Sequence, residues 1–181
     1  MRIIAGALKG RQLKTPTWEG LRPTSDRLRE TLFNILGPSI RDARVLDGYA
    51  GTGAMGIEAL SRGAAHVTFV DSDPRALRLI EQNLERLAVA NRYAIIRAGL
   101  ADAAGRLGAA FDLVILDPPY AEDAVVLALD AAAPVAGEST RVVIEHASRH
   151  APPPSHAGLV LKRRVAAGDS ALAFYQRERS E

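Results

Sequence analysis

The amino-acid sequence predicts an α/β fold built around a mostly parallel, doubly wound sheet. From residue 44 onward, short apolar runs alternate with segments of helical spacing, which is the pattern of such a sheet. A glycine-rich segment joins the first apolar run to the first helix of this series. The 181 residues, of which 48% are apolar, are enough for one domain with a sizeable core.

The amino terminus is predicted to form a basic β-hairpin extension, residues 1–20, on a main domain of residues 21–181. Two partly apolar runs, residues 2–5 and 11–14, flank a turn that contains two glycines. The first 14 residues contain no acidic residue. Their basic side chains are therefore candidates to contact the backbone of a nucleic acid, and they are Arg2, Lys9, Arg11 and Lys14.

The elements of the main domain follow from spacing and from helix-ending residues. Thr24 is predicted to cap a first helix, whose apolar spacing ends at Gly37-Pro38. Asp73-Pro74 predicts the start of a later helix. The predicted strands are Val45-Leu46, His66–Asp71, Tyr93–Arg97, Phe111–Asp117 and Arg141–Glu145, followed by an antiparallel ribbon of Leu159–Val165 and Ala171–Gln176. The helices between them are predicted at Ala54–Leu60, from Pro74 through Leu87, at Ala101–Leu107 and at Ala124–Ala133.

Composition excludes several kinds of site. Without cysteine there is no disulfide framework, no cysteine-based metal site and no thiol nucleophile, and the four histidines lack metal-ligand spacing. We therefore expect no metal.

The first residues lack the apolar run of a signal peptide and no stretch reaches transmembrane length, so we expect a cytoplasmic protein without a membrane partner. The net charge of +2 is only a weak indication of an acidic partner.

The glycine-rich segment fits the pattern G-x-G-x-x-G at Gly51, Gly53 and Gly56. Asp71 lies 71 − 51 = 20 residues after Gly51, at the end of the next predicted strand. This spacing matches a dinucleotide fingerprint in which the acidic residue binds the ribose hydroxyls. An NAD(P)-dependent oxidoreductase is therefore one interpretation.

Asp47, at the end of the strand before this loop, favours a different cofactor. A carboxylate there would repel a pyrophosphate but would favour the ammonium and sulfonium groups of S-adenosylmethionine. The glycines would then permit close backbone approach to its methionine moiety. The cofactor residues predicted in these two loops are Asp47, Gly48, Tyr49, Ala50, Gly51, Gly53, Asp71 and Ser72.

A second motif, Asp117-Pro118-Pro119-Tyr120, follows an aliphatic strand. Ligands of open α/β sheets bind beyond the carboxyl ends of the strands, so Asp117 should face the same crevice as the glycine loop. Its carboxylate and a carbonyl of the proline segment can accept hydrogen bonds from an exocyclic amino group and stabilise the developing positive charge. Tyr120 offers a face on which a flipped base can stack. The four residues are the predicted catalytic set, and Asp117 is also a predicted cofactor contact.

The chain resembles the RsmD family of bacterial 16S ribosomal RNA guanine-N2 methyltransferases. The resemblance includes the glycine loop, the Asp117–Tyr120 motif, the first six residues, and the segments 21–34 and 46–63. It implies a Rossmann-like class I methyltransferase fold with S-adenosylmethionine as cofactor, and ribosomal RNA in an assembling small subunit as partner. It also implies that Arg22, Pro23 and Thr24 lie near the methionine end of the cofactor.

The sequence departs from the family at Gly99, where related enzymes often have an acidic or amide residue that holds the adenine amino group. We expect Gly99 and Leu100 to contact adenine through backbone groups and apolar surface. Sequence alone leaves open an adenine-N6 methyltransferase of RNA or DNA, the NAD(P)-dependent oxidoreductase and a non-catalytic RNA-binding module. The absence of cysteine excludes pyrimidine carbon-5 methyltransferases that use a thiol.

Overall fold

The structure, a computed structural model, describes residues 1–18, 24–108 and 111–178. Its helices are α1 (Asp26–Leu36), α2 (Ala54–Ser61), α3 (Pro74–Arg86), α4 (Leu100–Leu107) and α5 (Ala124–Ala132). Its strands are β1 (Arg44–Gly48), β2 (His66–Asp71), β3 (Tyr93–Arg97), β4 (Phe111–Leu116), β5 (Ala136–Ala147), β6 (Ser155–His156), β7 (Leu159–Ala167) and β8 (Ser170–Arg177). Short 3-10 helices, Gly37–Ile40 and Ala133–Val135, follow α1 and α5.

All eight strands form one sheet in the order β3-β2-β1-β4-β5-β8-β7-β6. Strands β1 to β5 are parallel and β6 to β8 are antiparallel. The predicted doubly wound sheet and its antiparallel ribbon are confirmed. Two features were not predicted: β5 extends over 12 residues, and the short strand β6 adds to the ribbon.

The apolar core lies on both faces of the sheet. Side chains of α1, α2 and α3 pack on one face, and those of α4 and α5 pack on the other. Burial of both faces explains why the parallel strands are nearly continuous apolar runs in the sequence. Within the described residues, no helix is long and apolar enough to cross a membrane.

The start of α1 differs from the prediction. Ser25, not Thr24, caps the helix, because the Ser25 hydroxyl accepts a hydrogen bond from the Leu28 amide at 3.2 Å. Thr24 precedes the cap and its hydroxyl binds Asp117 instead. Both residues are good caps, so composition could not distinguish them. The cap predicted at Asp73 is confirmed by its bond from the Arg75 amide.

The amino-terminal residues form a looser hairpin than predicted. Among the described residues only one bridge, between Arg2 and Gln12, joins its two arms, although backbone bonds also join Ile3 to Arg11 and Leu13 to Met1. The side chains of Ile3 and Leu13 are buried in the core beside α1, α2 and α3. The hairpin therefore packs on the main domain, and a domain boundary near residue 20 stays a prediction.

A buried carboxylate attaches the hairpin to α2. Glu58 is fully buried, and its two oxygens accept hydrogen bonds from the amides of Ile4 and Ala5 at 2.8 and 3.0 Å. The Arg62 side chain donates to the same carboxylate at 2.7 Å. The Gly6 backbone lies so close to Ser61 that a Cβ there would be 1.9 Å from a backbone oxygen. These contacts fix the hairpin turn at the carboxyl end of α2.

Candidate active site

The crevice of the sheet lies where the strand order reverses. The chain passes from β1 outward to β2 and β3, then returns to place β4 on the other side of β1. The loops after β1 and β4 therefore diverge and leave a crevice at the carboxyl ends of the strands. Asp47, Asp71 and Asp117 lie at or directly after the ends of three adjacent strands, so the structure brings the predicted residues together.

Asp47 is buried beneath the glycine loop. Its side chain is 3% exposed, and its carboxyl accepts a hydrogen bond from the Gly56 amide at 2.8 Å. Burial raises the pKa of Asp47 to about 8, with a further increase from nearby Asp71. Asp47 is thus mostly uncharged at neutral pH in the free protein. The sequence argument that its negative charge would repel a pyrophosphate therefore does not hold for the free protein.

This pKa predicts that Asp47→Asn stabilises the free protein, and more so as pH rises. The folded pKa lies above the unfolded value of about 3.9, so wild-type stability falls between about pH 4 and pH 8 as only the unfolded state ionises. Asparagine retains an acceptor for Gly56 and has no charge to bury. We expect a gain on the order of a few kcal/mol near pH 8 and little gain near pH 4, measured by urea unfolding.

The exposed Asp123→Asn controls for the change in net charge. A stability difference between Asp47→Asn and wild type that does not change from pH 4 to pH 8 would contradict the prediction.

Asp71 connects the two loops that border the crevice. One of its oxygens accepts from the Gly51 amide at 2.8 Å and the other accepts from the Asp73 amide at 2.8 Å. The side chain remains partly exposed, as are neighbouring Ser72 and Tyr49. Asp71 therefore has lone pairs available for hydroxyl donors from the crevice, and it also shapes the glycine loop.

The glycines of the loop meet the protein's own core. Gly53 begins α2 in the left-handed region, and a Cβ at Gly56 would lie 2.3 Å from the Phe69 ring. At Gly48, a Cβ would lie 2.6 Å from Leu116. Close helix–strand packing is thus a reason for glycine at these positions that the sequence did not reveal, whereas close approach to a cofactor stays a prediction. The assignment of Gly48, Ala50, Gly51 and Gly53 to the cofactor stays a prediction.

Asp117 is held in a defined position at the end of β4. It is half-buried, and one carboxylate oxygen accepts a hydrogen bond from the Thr24 hydroxyl at 3.0 Å. This contact places Thr24 beside Asp117, and its position near the methionine end of a cofactor stays a prediction. Arg22 and Pro23, which were predicted to lie beside it, fall outside the described residues.

Tyr120 combines an exposed ring with a fixed hydroxyl. The residue is 37% exposed, and its hydroxyl donates to Glu145 at 2.9 Å and lies 2.6 Å from the Ser170 hydroxyl. Burial, with the nearby carboxylates Glu145 and Asp117, raises the pKa of Tyr120 to about 12, so the hydroxyl stays protonated. These hydroxyl contacts fix the orientation of the ring, and its stacking role stays a prediction.

Sequence reasoning missed Glu145 and Ser170, which position Tyr120. They lie on β5 and β8, far from Tyr120 in sequence, and nothing in their local pattern marks them. Beside the ring is a cavity of about 220 Å³, lined in part by Pro118, Pro119, Tyr120, His146 and His150. Its volume and its position next to Tyr120 are suitable for a planar base.

On the α4 side of the crevice, the expected contact of Gly99 and Leu100 with adenine stays a prediction. Gly99 is exposed and is the N-cap residue of α4, whereas Leu100 is buried and packs against Gly48.

Among the described residues, no group of three or more His, Cys, Asp or Glu side chains is arranged to hold a metal ion.

The basic residues of the hairpin lie away from the crevice. Arg2, Lys9, Arg11 and Lys14 are all exposed, but Arg11 donates to the Arg86 carbonyl at the carboxyl end of α3. Since α2 and α3 both begin at the crevice, their carboxyl ends lie about 12 and 20 Å from it at 1.5 Å per residue. The hairpin charges therefore do not lie beside Tyr120, and RNA binding by these residues stays a prediction.

Comparisons with known proteins agree with this geometry. The family described as conserved hypothetical protein 95 matches residues 1–176. The ribosomal RNA small subunit methyltransferase D of Escherichia coli is 36% identical over 98% of this chain and 90% of its own length. Two solved structures share the fold: the yhhF protein of Escherichia coli (36% identity, TM-score 0.82, 98% of both chains) and a hypothetical protein of Thermus thermophilus (30%, 0.80, 96% and 98%).

Proposed function

The chain belongs to the family described as conserved hypothetical protein 95 and is a methyltransferase of the RsmD type, and we propose that it methylates the exocyclic N2 amino group of a guanine in small-subunit ribosomal RNA. The observation that carries the proposal is the arrangement of Asp117, Thr24 and Tyr120 beside the crevice. We further propose that the RNA is part of an assembling small subunit, which the protein would meet in the cytoplasm.

The chemistry of the crevice supports S-adenosylmethionine as the cofactor. Carboxylates of Asp71 and Asp117 border the crevice, which favours a ligand with ammonium and sulfonium groups over one with a pyrophosphate. Asp71 would hold the ribose hydroxyls, and Gly99 and Leu100 would contact adenine. Asp47, mostly uncharged in the free protein, would ionise beside the cationic end of the bound cofactor, because a nearby positive charge favours the charged form of a carboxyl group. When bound, this cofactor supplies an electrophilic methyl group.

The residues after β4 would activate the amino group. Its lone pair is delocalised into the purine ring, so the nitrogen is a poor nucleophile. Asp117 and a carbonyl of the Pro118-Pro119 segment would accept hydrogen bonds from its two N–H groups and favour a tetrahedral nitrogen. Asp117 would stabilise the positive charge that develops on nitrogen, and Tyr120 would hold the flipped base by stacking.

Guanine N2 rather than adenine N6 is proposed because the matched relative is a small-subunit enzyme and the sequence resembles the guanine-N2 family over nearly its full length. Both purines offer an exocyclic amino group to Asp117, so the crevice alone accommodates either. Incubation of the protein with S-adenosylmethionine and small-subunit particles assembled on unmethylated 16S ribosomal RNA, followed by nucleoside mass spectrometry, tests the choice. We expect N2-methylguanosine; N6-methyladenosine, or no methylated nucleoside, would contradict the proposal.

The cofactor assignment predicts selective thermal stabilisation. S-adenosylhomocysteine at about 100 times its Kd should add roughly 2.7 kcal/mol of stability, whereas NAD(P) should add none. Asp71→Asn leaves only one carbonyl acceptor where the carboxylate has two, so the Kd should rise by the equivalent of about 1–3 kcal/mol. Calorimetry measures both effects, and an unchanged affinity in Asp71→Asn would contradict the assignment of Asp71.

A further inference from the structure

Three consecutive basic residues lie on β7, a strand of the same sheet whose carboxyl ends form the crevice. Lys162, Arg163 and Arg164 are all exposed. Within the described parts of the chain, none of the three forms an ion pair with a carboxylate. Their charges are therefore available to an anionic partner.

The register of β7 spreads these charges around one edge of the sheet. Leu161 pairs with Tyr175 and Arg163 with Phe174, so Lys162 is an extra residue at a bulge. Arg163 and the following Arg164 then project to opposite faces of the sheet. The result is a positive strip that is accessible from both faces and from the edge.

This edge is open where the charges lie. β6 pairs only with Leu159 and Val160, which leaves the outer side of β7 from Leu161 onward without a neighbouring strand among the described residues. Charged residues on an open edge discourage pairing with another sheet. Protection of the open edge explains why β7 carries charged residues here. The same protection would be given by charged residues far from the active site, so it does not explain their position.

The position of the strip relates it to the crevice. Arg164 pairs with Ala173 of β8, which pairs with Ile144 of β5. Ile144 pairs with Leu116 of β4, which pairs with Gly48 at the end of β1. Arg164 therefore lies at the same height along the strands as Gly48, directly before the glycine-rich loop. Three strand spacings separate β7 from β4, which is about 14 Å. An RNA strand whose base occupies the cavity beside Tyr120 can reach the strip with neighbouring nucleotides.

The loop after β5 fills the interval between the cavity and the strip. Arg164 donates a hydrogen bond to the Ser148 carbonyl, and the Ser148 amide donates to the Asp169 carbonyl. Arg149 is exposed on this loop, next to His150, which lines the cavity. Positive charge is thus present between Tyr120 and the edge of β7.

We propose that Arg149, Lys162, Arg163 and Arg164, which we call the β7 basic edge, bind the phosphate backbone of the RNA strand that carries the target base. The inference rests on the proposed function, since it places RNA beside Tyr120. Phosphate contacts supply affinity and position without reading sequence, whereas the cavity receives the base. Such contacts release counterions, so they weaken measurably as salt rises.

The test compares two double variants that each remove two charges. Lys162→Gln with Arg163→Gln alters the β7 basic edge and retains the Arg164 contact to Ser148. Arg2→Gln with Lys9→Gln alters the hairpin. Affinity for small-subunit particles assembled on unmethylated 16S ribosomal RNA is measured at several salt concentrations, together with methyl transfer and S-adenosylhomocysteine affinity. We expect the edge variant to reduce the log–log salt slope by about 1.4, at about 0.7 per single-strand contact.

The edge variant should also raise the KM for RNA, with kcat and S-adenosylhomocysteine affinity close to wild type. Arg149→Gln provides an independent variant with a slope change about half as large. An unchanged slope in the edge variant, whether or not the hairpin variant changes, overturns the inference. Failure of the proposed function gives a different result, namely RNA binding without methyl transfer by the wild-type protein.

Discussion

Replacement of Asp117 by alanine is expected to lower turnover about 100–1,000-fold while cofactor binding stays near wild type. Asp117 is half-buried at the end of β4 and fixed by the Thr24 hydroxyl, so its carboxylate is already oriented before substrate binds. Loss of a preorganised group of this kind affects the transition state more than the ground state. Single-turnover methyl transfer at saturating cofactor and RNA measures the effect.

Two further variants separate charge from position. Asp117→Asn retains an acceptor for Thr24 but loses the negative charge, so we expect a loss of similar order to that of alanine. Thr24→Val leaves the charge and removes only the orienting hydrogen bond, so a loss of about tenfold is expected. Wild-type turnover in Asp117→Ala would exclude the proposed mechanism.

The crevice could be predicted from sequence because its residues lie at the ends of strands. Asp47, Asp71 and Asp117 each follow or end an apolar run, and parallel strands bring their carboxyl ends to one edge. Local pattern was therefore enough to place them together. The reason assigned to Asp47 was less accurate, because burial changes its ionisation. Core packing gives the glycines a second reason that their sequence spacing did not reveal.

Contacts between distant segments could not be predicted. Glu145 and Ser170 hold Tyr120 across 25 and 50 residues of sequence, and Glu58 holds Ile4 across 54. Each depends on tertiary packing that no periodicity records. The hairpin illustrates the consequence: its charges were visible in the sequence, but its attachment to the carboxyl end of α2 determines which end of the sheet those charges occupy.

That attachment predicts a large effect of Glu58→Ala on stability. The substitution leaves the Ile4 and Ala5 amides without their acceptor, removes the carboxylate partner of Arg62 and creates a cavity beside α2. Removal of one partner from a buried ionic network costs about 3–5 kcal/mol. Glu85→Ala, an exposed position on α3, is the matched control and should change stability by less than about 0.5 kcal/mol. Urea unfolding at pH 7 measures both.

Hydrogen exchange locates the effect. In Glu58→Ala the amides of Ile4 and Ala5 should lose protection first, because Glu58 accepts both of them. S-adenosylhomocysteine affinity should change little under native conditions, since α2 separates Glu58 from the crevice by about one turn of helix and the contacts that shape the glycine loop come from Asp71 and Asp47. A Glu58→Ala variant as stable as Glu85→Ala would mean that burial of Ile3 and Leu13, rather than the carboxylate, holds the hairpin in place.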